Sequence, residues 1–270
     1  MHSEIAVFGE FQTIPKRLGR IDTGGAGLCS FHKASCALIS PNEIRRLRNI
    51  YGPSGFFQPL KGLILHPFYV SRYARLCSKK YVVDSSKSPT WSMLMWRRYR
   101  WLMDQKFIII HRDPRGVIAS YVRRGETSPG QIETRAKLWA NDQMRIEQMA
   151  KRIPSQKIHK MFYEKFATDP DGELRKICQF LGLDFDSRML RFAEGAHHIV
   201  GGNSGARQQM NEMTRQSGSS ATADLQKRAP FSGMIFLDQR WKDELTIGQR
   251  QIIESTCKTQ MIHLNYNVEH

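Results

Sequence analysis

Residues 107–120 read FIIIHRDPRGVIAS and place an arginine and a serine at a spacing that suits the binding of an anion. The apolar residues predict a strand, and Pro114 suits the first turn of a helix. Arg112 would then end the strand, and Ser120, about two turns into the helix, can face back toward it. Free amides at the helix start and a planar guanidinium both favour phosphate oxygens. The pattern indicates a phosphate-monoester site; the alternative is a surface network between Arg112 and Asp113, with the serine facing its own helix.

Two further segments carry basic residues that suit an anionic ligand. Residues 84–89 read DSSKSP and follow a predicted strand, so Lys87 would project over the same sheet edge as Arg112. A single ammonium there can stabilise charge on a group that is being transferred. Residues 197–207 read HHIVGGNSGAR, and their glycines let the backbone approach a ligand while Arg207 offers another cation. The alternative for the first segment is a loop lysine near a helix start, and the alternative for the second is a flexible basic loop.

The motifs of several enzyme and metal-binding classes are absent. The chain has no G-x-x-x-x-G-K-[ST], which argues against an ordinary ATPase, GTPase or kinase, and no G-x-G-x-x-G, H-E-x-x-H or G-x-S-x-G. His197 and His198 are adjacent and would point apart, so they make a poor metal pair. The cysteines are odd in number and scattered, which predicts free thiols in a reducing cytosol and no metal site. They are Cys29, Cys36, Cys77, Cys178 and Cys257.

The elements that would position these residues follow an α/β pattern from Tyr81 onward. Apolar strands alternate there with helix-length amphipathic segments, which is typical of a parallel sheet flanked by helices. The predicted strands are residues 79–86, 106–112 and 157–166. The predicted helices are residues 90–105, a segment from Pro114, residues 131–153, residues 169–183 closed by Gly182, and a segment from Thr246 to about Met261 that opens with a capping box of Thr246 and Gln249.

Two regions lack such a pattern. Residues 11–78 give no clear prediction, because glycines and prolines interrupt short apolar pieces. Residues 203–229 are polar and rich in Gly, Ser and Gln, which predicts a mobile loop within a single domain that spans residues 1–270. A lid, a substrate-binding segment and a plain disordered insertion remain open for this loop.

The composition favours a polyanionic partner. Lys and Arg number 41 against 25 Asp and Glu, for a net charge of +16, which suits nucleic acid, anionic lipid, nucleotide phosphates or an acidic substrate. A solvated basic surface is the alternative. The longest clean apolar run, FIII, falls short of the roughly 18 residues of a membrane helix, so we predict no membrane span. The first residues lack the pattern of a secretory signal, which predicts a cytoplasmic location.

Several blocks, in order along the chain, resemble the sulfotransferases that use 3′-phosphoadenosine 5′-phosphosulfate (PAPS). Residues 107–124, FIIIHRDPRGVIASYVRR, resemble the motif with which this family holds the 3′-phosphate. The other blocks are YVVDSSKSP, FYEKFATDPDGELRKICQFLGLDFD, HHIVGGNSGAR and LDQRWKDELT, and they resemble the bacterial branch and its tyrosylprotein-sulfating relatives. The resemblance implies a P-loop-like sulfotransferase fold. It also implies that Arg112 and Ser120 hold the 3′-phosphate, that Tyr163 lies near the adenine and that Lys87 stabilises the bridging oxygen of the leaving group, with Arg207 as a further cofactor-binding residue.

Residues 8–15, FGEFQTIP, resemble a family segment in which Gly-Glu is followed by Ile-Pro. In the tyrosylprotein relatives that glutamate is the general base, so the resemblance makes Glu10 the candidate here. A carboxylate can take the proton of the acceptor hydroxyl as its oxygen attacks sulfur in line. The alternative is an ordinary exposed glutamate near a frayed terminus.

The sequence departs from the family pattern before Gly9. The family places there a strand, a Ser/Gly/Thr-rich loop that wraps the 5′-phosphosulfate, and the start of a helix. In this chain Gly9 stands almost at the first methionine, so we expect this N-terminal unit to be missing. Residues 24–30, GGAGLCS, cannot replace the loop because they follow Glu10. Two explanations stay open: a reading frame that starts too late, or a decayed paralogue that keeps only the 3′-phosphate half of the site.

From the resemblance we expect sulfuryl transfer from PAPS to a hydroxyl, or an amine, of a small-molecule, glycan or peptide acceptor. That chemistry needs no metal, and a homodimer is compatible with it. One alternative is a non-catalytic paralogue that binds adenine nucleotides. Another is a basic nucleic-acid-binding protein, which rests on charge alone because no recognisable motif accompanies the dispersed basic residues. We therefore do not expect a nucleic-acid partner.

Overall fold

A computed structural model of the chain describes residues 2–18, 36, 38–52, 58–191, 200 and 235–268. The strands are β1 Ile5–Gly9, β2 Tyr81–Asp84, β3 Phe107–His111 and β4 Ile158–Phe162. The helices are α1 Ile14–Leu18, α2 Pro41–Tyr51, α3 Gln58–Cys77, α4 Pro89–Tyr99, α5 Pro114–Arg123, α6 Ile132–Ala150, α7 Tyr163–Thr168, α8 Pro170–Leu181, α9 Trp241–Glu244 and α10 Ile247–His263. The strands pair in parallel, β1 with β2 and β3 with β4, and helices dominate the rest. The predicted α/β class is confirmed.

The chain folds into two compact units. The first unit comprises Met1–Asp104 and Asp186–Met234, and the second comprises Gln105–Phe185 and Ile235–His270. The prediction that residues 1–270 form a single domain stays a prediction.

The first unit is built on β1 and β2. Ile5 lies opposite Tyr81 and Gly9 opposite Asp84, with an irregularity in the register between Val7 and Gly9. Phe8 is fully buried and stacks on Phe11 with ring centroids 3.8 Å apart. This pair anchors the end of β1 in the core of the unit, directly beside Glu10.

A buried histidine lies among the aromatic rings of this unit. The His66 ring stacks on Tyr99, and its Nδ1 atom lies 2.6 Å from the hydroxyl of Tyr51. Burial lowers the pKa of His66 from its ordinary value to about 4. The fold therefore accepts the neutral imidazole and disfavours the protonated one.

Because His66 is buried in its neutral form, we expect its protonation at acidic pH to lower the free energy of unfolding. As the pH falls below about 6.5, the unfolded chain takes up a proton first, so the contribution of His66 is complete above that pH and is lost as the pH approaches 4. The expected loss is roughly 3 kcal/mol in the free energy of unfolding. Urea unfolding of the wild type and of His66→Phe at several pH values measures it. The variant should show the flatter pH dependence, and parallel curves would contradict the assignment.

The second unit is built on β3 and β4, whose register runs from Phe107 opposite Ile158 to His111 opposite Phe162. Helix α5 leaves the end of β3 and packs against α6 and α10 in a shared apolar core. The fully buried residues of this core are Ile118, Ala136, Ile253, Cys257 and Met261. This packing fixes α5, which carries Ser120 and begins two residues after Arg112.

The charged residues at the end of β3 are mostly structural. Asp113 caps α5 by accepting a hydrogen bond from the backbone N–H of Arg115 at 2.8 Å. The Arg115 guanidinium bonds to both Asp113 and Glu254, at 2.7 and 2.8 Å. His111 is buried, with Nδ1 2.9 Å from Oε1 of Gln143. The Arg112–Asp113 surface network, which was the alternative to an anion site, is therefore not the arrangement seen, because Asp113 pairs with Arg115.

The Arg115 ion pairs predict a large stability effect. The side chains of Arg115 and Glu254 are 5% and 4% exposed, so Arg115→Met would leave two buried carboxylates without their cation. We expect a loss of about 3–5 kcal/mol in the free energy of unfolding, measured by chemical denaturation. The matched control is Lys137→Met, whose pair with Glu133 is exposed on both sides and should leave the midpoint unchanged. Equal midpoints for the wild type and Arg115→Met would contradict this account.

Most of the predicted elements after residue 78 are confirmed, with two boundary corrections. The strand predicted over residues 157–166 ends at Phe162, because its partner β3 turns away after His111 and Tyr163 begins α7. The helix predicted over residues 90–105 ends at Tyr99, whose carbonyl accepts bonds from the amides of Leu102 and Met103 and so closes the helix with a turn. Helix α8 ends at Gly182 in the left-handed region, and α10 opens with the predicted capping box of Thr246 and Gln249.

Candidate functional site

Glu10 and Lys87 form a contact at the carboxyl ends of β1 and β2. The Lys87 Nζ atom lies 3.2 Å from Oε1 of Glu10. The lysine side chain is 66% exposed and the glutamate side chain 15% exposed. The Glu10 carboxylate is thus largely shielded from solvent, and the Lys87 ammonium beside it reaches solvent. Both groups lie where they can contact a bound substrate.

The backbone around Gly9 sets the position of Glu10. Gly9 has a φ of 109°, and a Cβ atom there would lie 2.1 Å from the carbonyl oxygen of Val200. This close approach lets the Glu10 N–H donate to the same carbonyl at 2.8 Å, and the Val200 N–H donates to Phe8 at 2.7 Å. Only glycine combines this conformation with this proximity, so the residue before Glu10 is fixed by the geometry.

The loop that carries Lys87 runs from the end of β2 into α4. The Ser85 N–H donates to the Gly9 carbonyl at 2.7 Å and prolongs the parallel pairing by one bond. Ser88 caps α4 by accepting a bond from the N–H of Trp91, and Pro89 occupies the first turn. Lys87 is therefore held between a strand end and a helix start.

In the second unit, the guanidinium of Arg112 lies over an aromatic ring. Its guanidinium carbon is 4.1 Å from the ring centroid of Tyr163, and Nη2 makes one long contact of 3.4 Å with Oδ2 of Asp238. Gly116 leaves room for it, since a Cβ there would lie 3.3 Å from Nε of Arg112. The side chain is 24% exposed. A partly exposed guanidinium whose one ionic partner within the described part of the chain is 3.4 Å away can turn its fork toward an anion.

Asp238 is the carboxylate around which this cluster is arranged. Its Oδ2 atom lies 3.4 Å from Arg123 and 2.9 Å from Arg240, besides its contact with Arg112. Burial by itself raises the pKa of Asp238, but the hydrogen bonds and charge of Arg240, together with the charge of Arg123, hold that pKa well below its usual range. Asp238 is therefore ionised and partly balances three arginines.

Ser120 and Tyr163 are each bound to a neighbour. Ser120 Oγ accepts a hydrogen bond from Nη1 of Arg124, one turn further along the chain, and Arg124 also bonds to Glu126. The Tyr163 hydroxyl donates to the carbonyl of Phe236 at 2.9 Å and accepts from the N–H of Asp238 at 3.0 Å. Residues 236–238 are thereby held against the tyrosine that supports Arg112.

The predicted site residues fall into two groups that the structure describes separately. Glu10 contacts Lys87 in one unit, and Arg112 contacts Tyr163 in the other. Ser120 lies on the helix that follows Arg112, with Arg124 as its partner. Arg207, His197 and His198, and the predicted loop at residues 203–229 lie outside the described residues.

Sequence reasoning missed four members of the Arg112 group. Arg123, Arg124, Asp238 and Arg240 surround the predicted residues but were not recognised as candidates. The spacing of four between Ser120 and Arg124, which directly follows the last residue of α5, was a signal available from the sequence. Asp238 and Arg240 lie in the block LDQRWKDELT, which the resemblance includes, but no spacing connected them to Arg112, because they lie more than a hundred residues away along the chain.

Among the described residues, no group of three or more His, Cys, Asp or Glu side chains is placed to hold a metal ion. None of the cysteines in the described ranges is in a disulfide bond, and they are Cys36, Cys77, Cys178 and Cys257. None of the described helices combines the length and the hydropathy that crossing a bilayer requires.

Comparisons with known proteins give one consistent result. Residues 2–187 match the model of the sulfotransferase family. Among solved structures, the sulfotransferase domain from the curacin biosynthetic pathway is similar with a TM-score of 0.56 and 15% identity, over 99% of this chain and 91% of that one. The sulfotransferase domain from the olefin synthase of Synechococcus PCC 7002 is similar with a TM-score of 0.50 and 16% identity, over 98% of this chain and 96% of that one. No curated protein matches the sequence. At such identities the structural likeness bears on the fold alone, and it confirms the fold expected from the resemblance.

Proposed function

Because the chain belongs to the sulfotransferase family, we propose that it transfers a sulfuryl group from PAPS to a hydroxyl, or an amine, of an acceptor. Arg112 and Ser120 bind the 3′-phosphate of the nucleotide, and Tyr163 lies near the adenine. Lys87 and Glu10 act on the transferring group and on the acceptor. Arg207 is a further cofactor-binding residue in this proposal.

One observation carries the nucleotide half of the proposal. The Arg112 guanidinium lies over the Tyr163 ring, 4.1 Å from its centroid, and among the described residues it makes one long ionic contact, with Asp238. A phosphate dianion that replaces this contact can accept two parallel hydrogen bonds from the fork, which are shorter and stronger than the present one. Ser120 on α5 adds a hydroxyl, and Arg124, directly after the end of that helix, adds a second guanidinium. In this proposal the nucleotide phosphate takes the place of Asp238 as the partner of Arg112 and of Arg124 as the partner of Ser120.

The Glu10–Lys87 contact supports the transfer half. The acceptor oxygen attacks sulfur in line, its proton passes to a carboxylate oxygen of Glu10, and the bond between sulfur and the 5′-phosphate oxygen breaks. The electron pair stays on that phosphate oxygen, so 3′-phosphoadenosine 5′-phosphate leaves. Lys87 donates a hydrogen bond to the leaving oxygen, where negative charge develops. Nζ of Lys87 and Oε1 of Glu10 lie 3.2 Å apart, close enough for both groups to act on one bound substrate.

The acceptor is a small-molecule, glycan or peptide hydroxyl in this proposal. The net charge of +16 suits a nucleotide that carries phosphates and sulfate, and it also suits an acceptor that is acidic or already sulfated.

Incubation with PAPS labelled in its sulfate, together with a panel of alcohol, phenol, glycan and amine acceptors, tests the proposal. We expect label on an acceptor and release of an equal amount of 3′-phosphoadenosine 5′-phosphate. Retention on immobilised 3′,5′-ADP without any transfer would favour the non-catalytic paralogue instead. Binding of DNA or RNA with a steep salt dependence, and no retention on the nucleotide, would favour the basic nucleic-acid-binding protein.

A further inference from the structure

Asp84 ends β2 and is hydrogen-bonded on both sides of the Glu10–Lys87 contact. Its Oδ1 atom accepts from the backbone N–H of Phe11 at 3.2 Å, next to Glu10. The same atom accepts from the N–H and the hydroxyl of Ser86, next to Lys87, at 2.9 and 2.6 Å. One carboxylate therefore joins the residue after the candidate base to the residue before the candidate lysine.

The second carboxylate oxygen and the serine complete the network. Oδ2 of Asp84 accepts from Nε1 of Trp91 at 2.7 Å, which fixes the plane of the carboxylate from the first turn of α4. The Ser86 hydroxyl, while donating to Asp84, accepts from the N–H of Gln12 at 3.1 Å. The two segments are thus tied by side-chain bonds beyond the last backbone bond between them.

We propose that Asp84 is a positioning residue that holds Glu10 and Lys87 in register with each other. The inference rests on the proposed function for the roles of these two residues. Asp84 touches no reacting atom in this account; it acts through the backbone of Phe11 and through Ser86.

The Glu10–Lys87 contact cannot hold itself in place. It joins a lysine side chain that is 66% exposed to a carboxylate that is 15% exposed, and an ion pair whose flexible cation lies mostly in solvent constrains the two chain segments only weakly. Hydrogen bonds to an ionised carboxylate are roughly twice as strong as neutral ones. The bonds to Asp84 are therefore the stronger constraint on where the two chain segments lie.

A local turn does not account for the whole arrangement. A bond from the N–H of Ser86 to an aspartate two residues earlier is common wherever a strand turns. The bond from Phe11 spans 73 positions of the chain, and the bond from Trp91 comes from a separate helix. These two bonds serve the placement of one segment against the other.

The test is Asp84→Asn, an isosteric change that puts an amide in place of the carboxylate and removes its charge. We expect kcat for sulfuryl transfer to fall at least tenfold, while KM for PAPS stays within twofold of the wild type. We also expect amide hydrogen exchange in residues 10–12 and 85–88 to rise at least tenfold. The matched control is Glu4→Gln, the same chemical change before the start of β1, which should alter neither quantity.

Trp91→Phe removes only the bond to Oδ2 and should give a smaller change in the same direction in both measurements. An Asp84→Asn variant with the kcat and exchange rates of the wild type would overturn the inference. A general rise of exchange across the first unit would also overturn it, since Asp84 would then support the fold as a whole. If the wild type transfers no sulfate, the proposed function fails, and exchange at residues 10–12 and 85–88 decides the positioning role alone.

Discussion

Arg112→Ala is expected to weaken the binding of 3′-phosphoadenosine 5′-phosphate by on the order of 10²-fold. The substitution removes the guanidinium that stacks on Tyr163 and, in the proposal, the bidentate partner of the 3′-phosphate. The fold should persist, because the ionic contact that Arg112 makes with Asp238 is long, at 3.4 Å. Isothermal titration calorimetry measures the affinity, and thermal unfolding checks the fold.

The control for Arg112→Ala is Arg97→Ala. Arg97 lies exposed in the last turn of α4, so its loss changes the net charge of the protein by the same amount. If affinity falls equally in both variants, the effect is one of general charge. If Arg112→Ala binds the nucleotide as tightly as the wild type, the assignment of the 3′-phosphate to Arg112 is wrong.

Glu10→Gln is expected to lower kcat for sulfuryl transfer by about 10²- to 10⁴-fold, the usual range for loss of a general base. The amide retains the size of the side chain but cannot accept the acceptor's proton. Nucleotide affinity should be unchanged, because Glu10 has no role in holding the 3′-phosphate. Initial rates with labelled PAPS and a titration with 3′-phosphoadenosine 5′-phosphate measure the two quantities.

Glu4→Gln serves as the control for Glu10→Gln as well. Glu4 precedes β1, and its side chain makes a contact of 4.0 Å with Lys80 while both remain largely exposed. Glu4→Gln makes the same change in charge and should have the kcat of the wild type. A Glu10→Gln variant that transfers sulfate at the wild-type rate would exclude Glu10 as the base.

The sequence correctly predicted the helices whose first or last residues have a recognisable capping pattern. Thr246 and Gln249 form the capping box from which α10 starts, and Gly182 ends α8 in the left-handed conformation that glycine favours. Such signals are local, so they can be recognised in the chain without knowledge of what packs against it.

Elements without such signals were missed. The strand β1 is only five residues long, and its pairing with β2 joins positions more than seventy residues apart. Helix α3 contains Pro67, which in a sequence argues for a break. Both elements depend on packing against residues that are distant along the chain, so a local sequence pattern cannot predict them.

The candidate site divides in the same way. Arg112 was recognised from the local sequence, because the strand before it and the helix after it can both be predicted from neighbouring residues. Its ionic partner is not the adjacent Asp113, which pairs with Arg115, but Asp238, 126 positions away. The Asp84 network likewise joins β2 to a turn 73 positions earlier. Neighbours that folding brings together, such as these, could not be recognised from spacing.

The central claim is that Arg112 recognises the 3′-phosphate of the sulfate donor. Its most direct test is calorimetric titration of the wild type and of Arg112→Ala with 3′-phosphoadenosine 5′-phosphate and with adenosine 5′-phosphate, which lacks the 3′-phosphate. The account predicts that the wild type prefers the first nucleotide by at least about tenfold and that the variant loses this preference. Equal affinities in the wild type, or a preference that survives in Arg112→Ala, would contradict it.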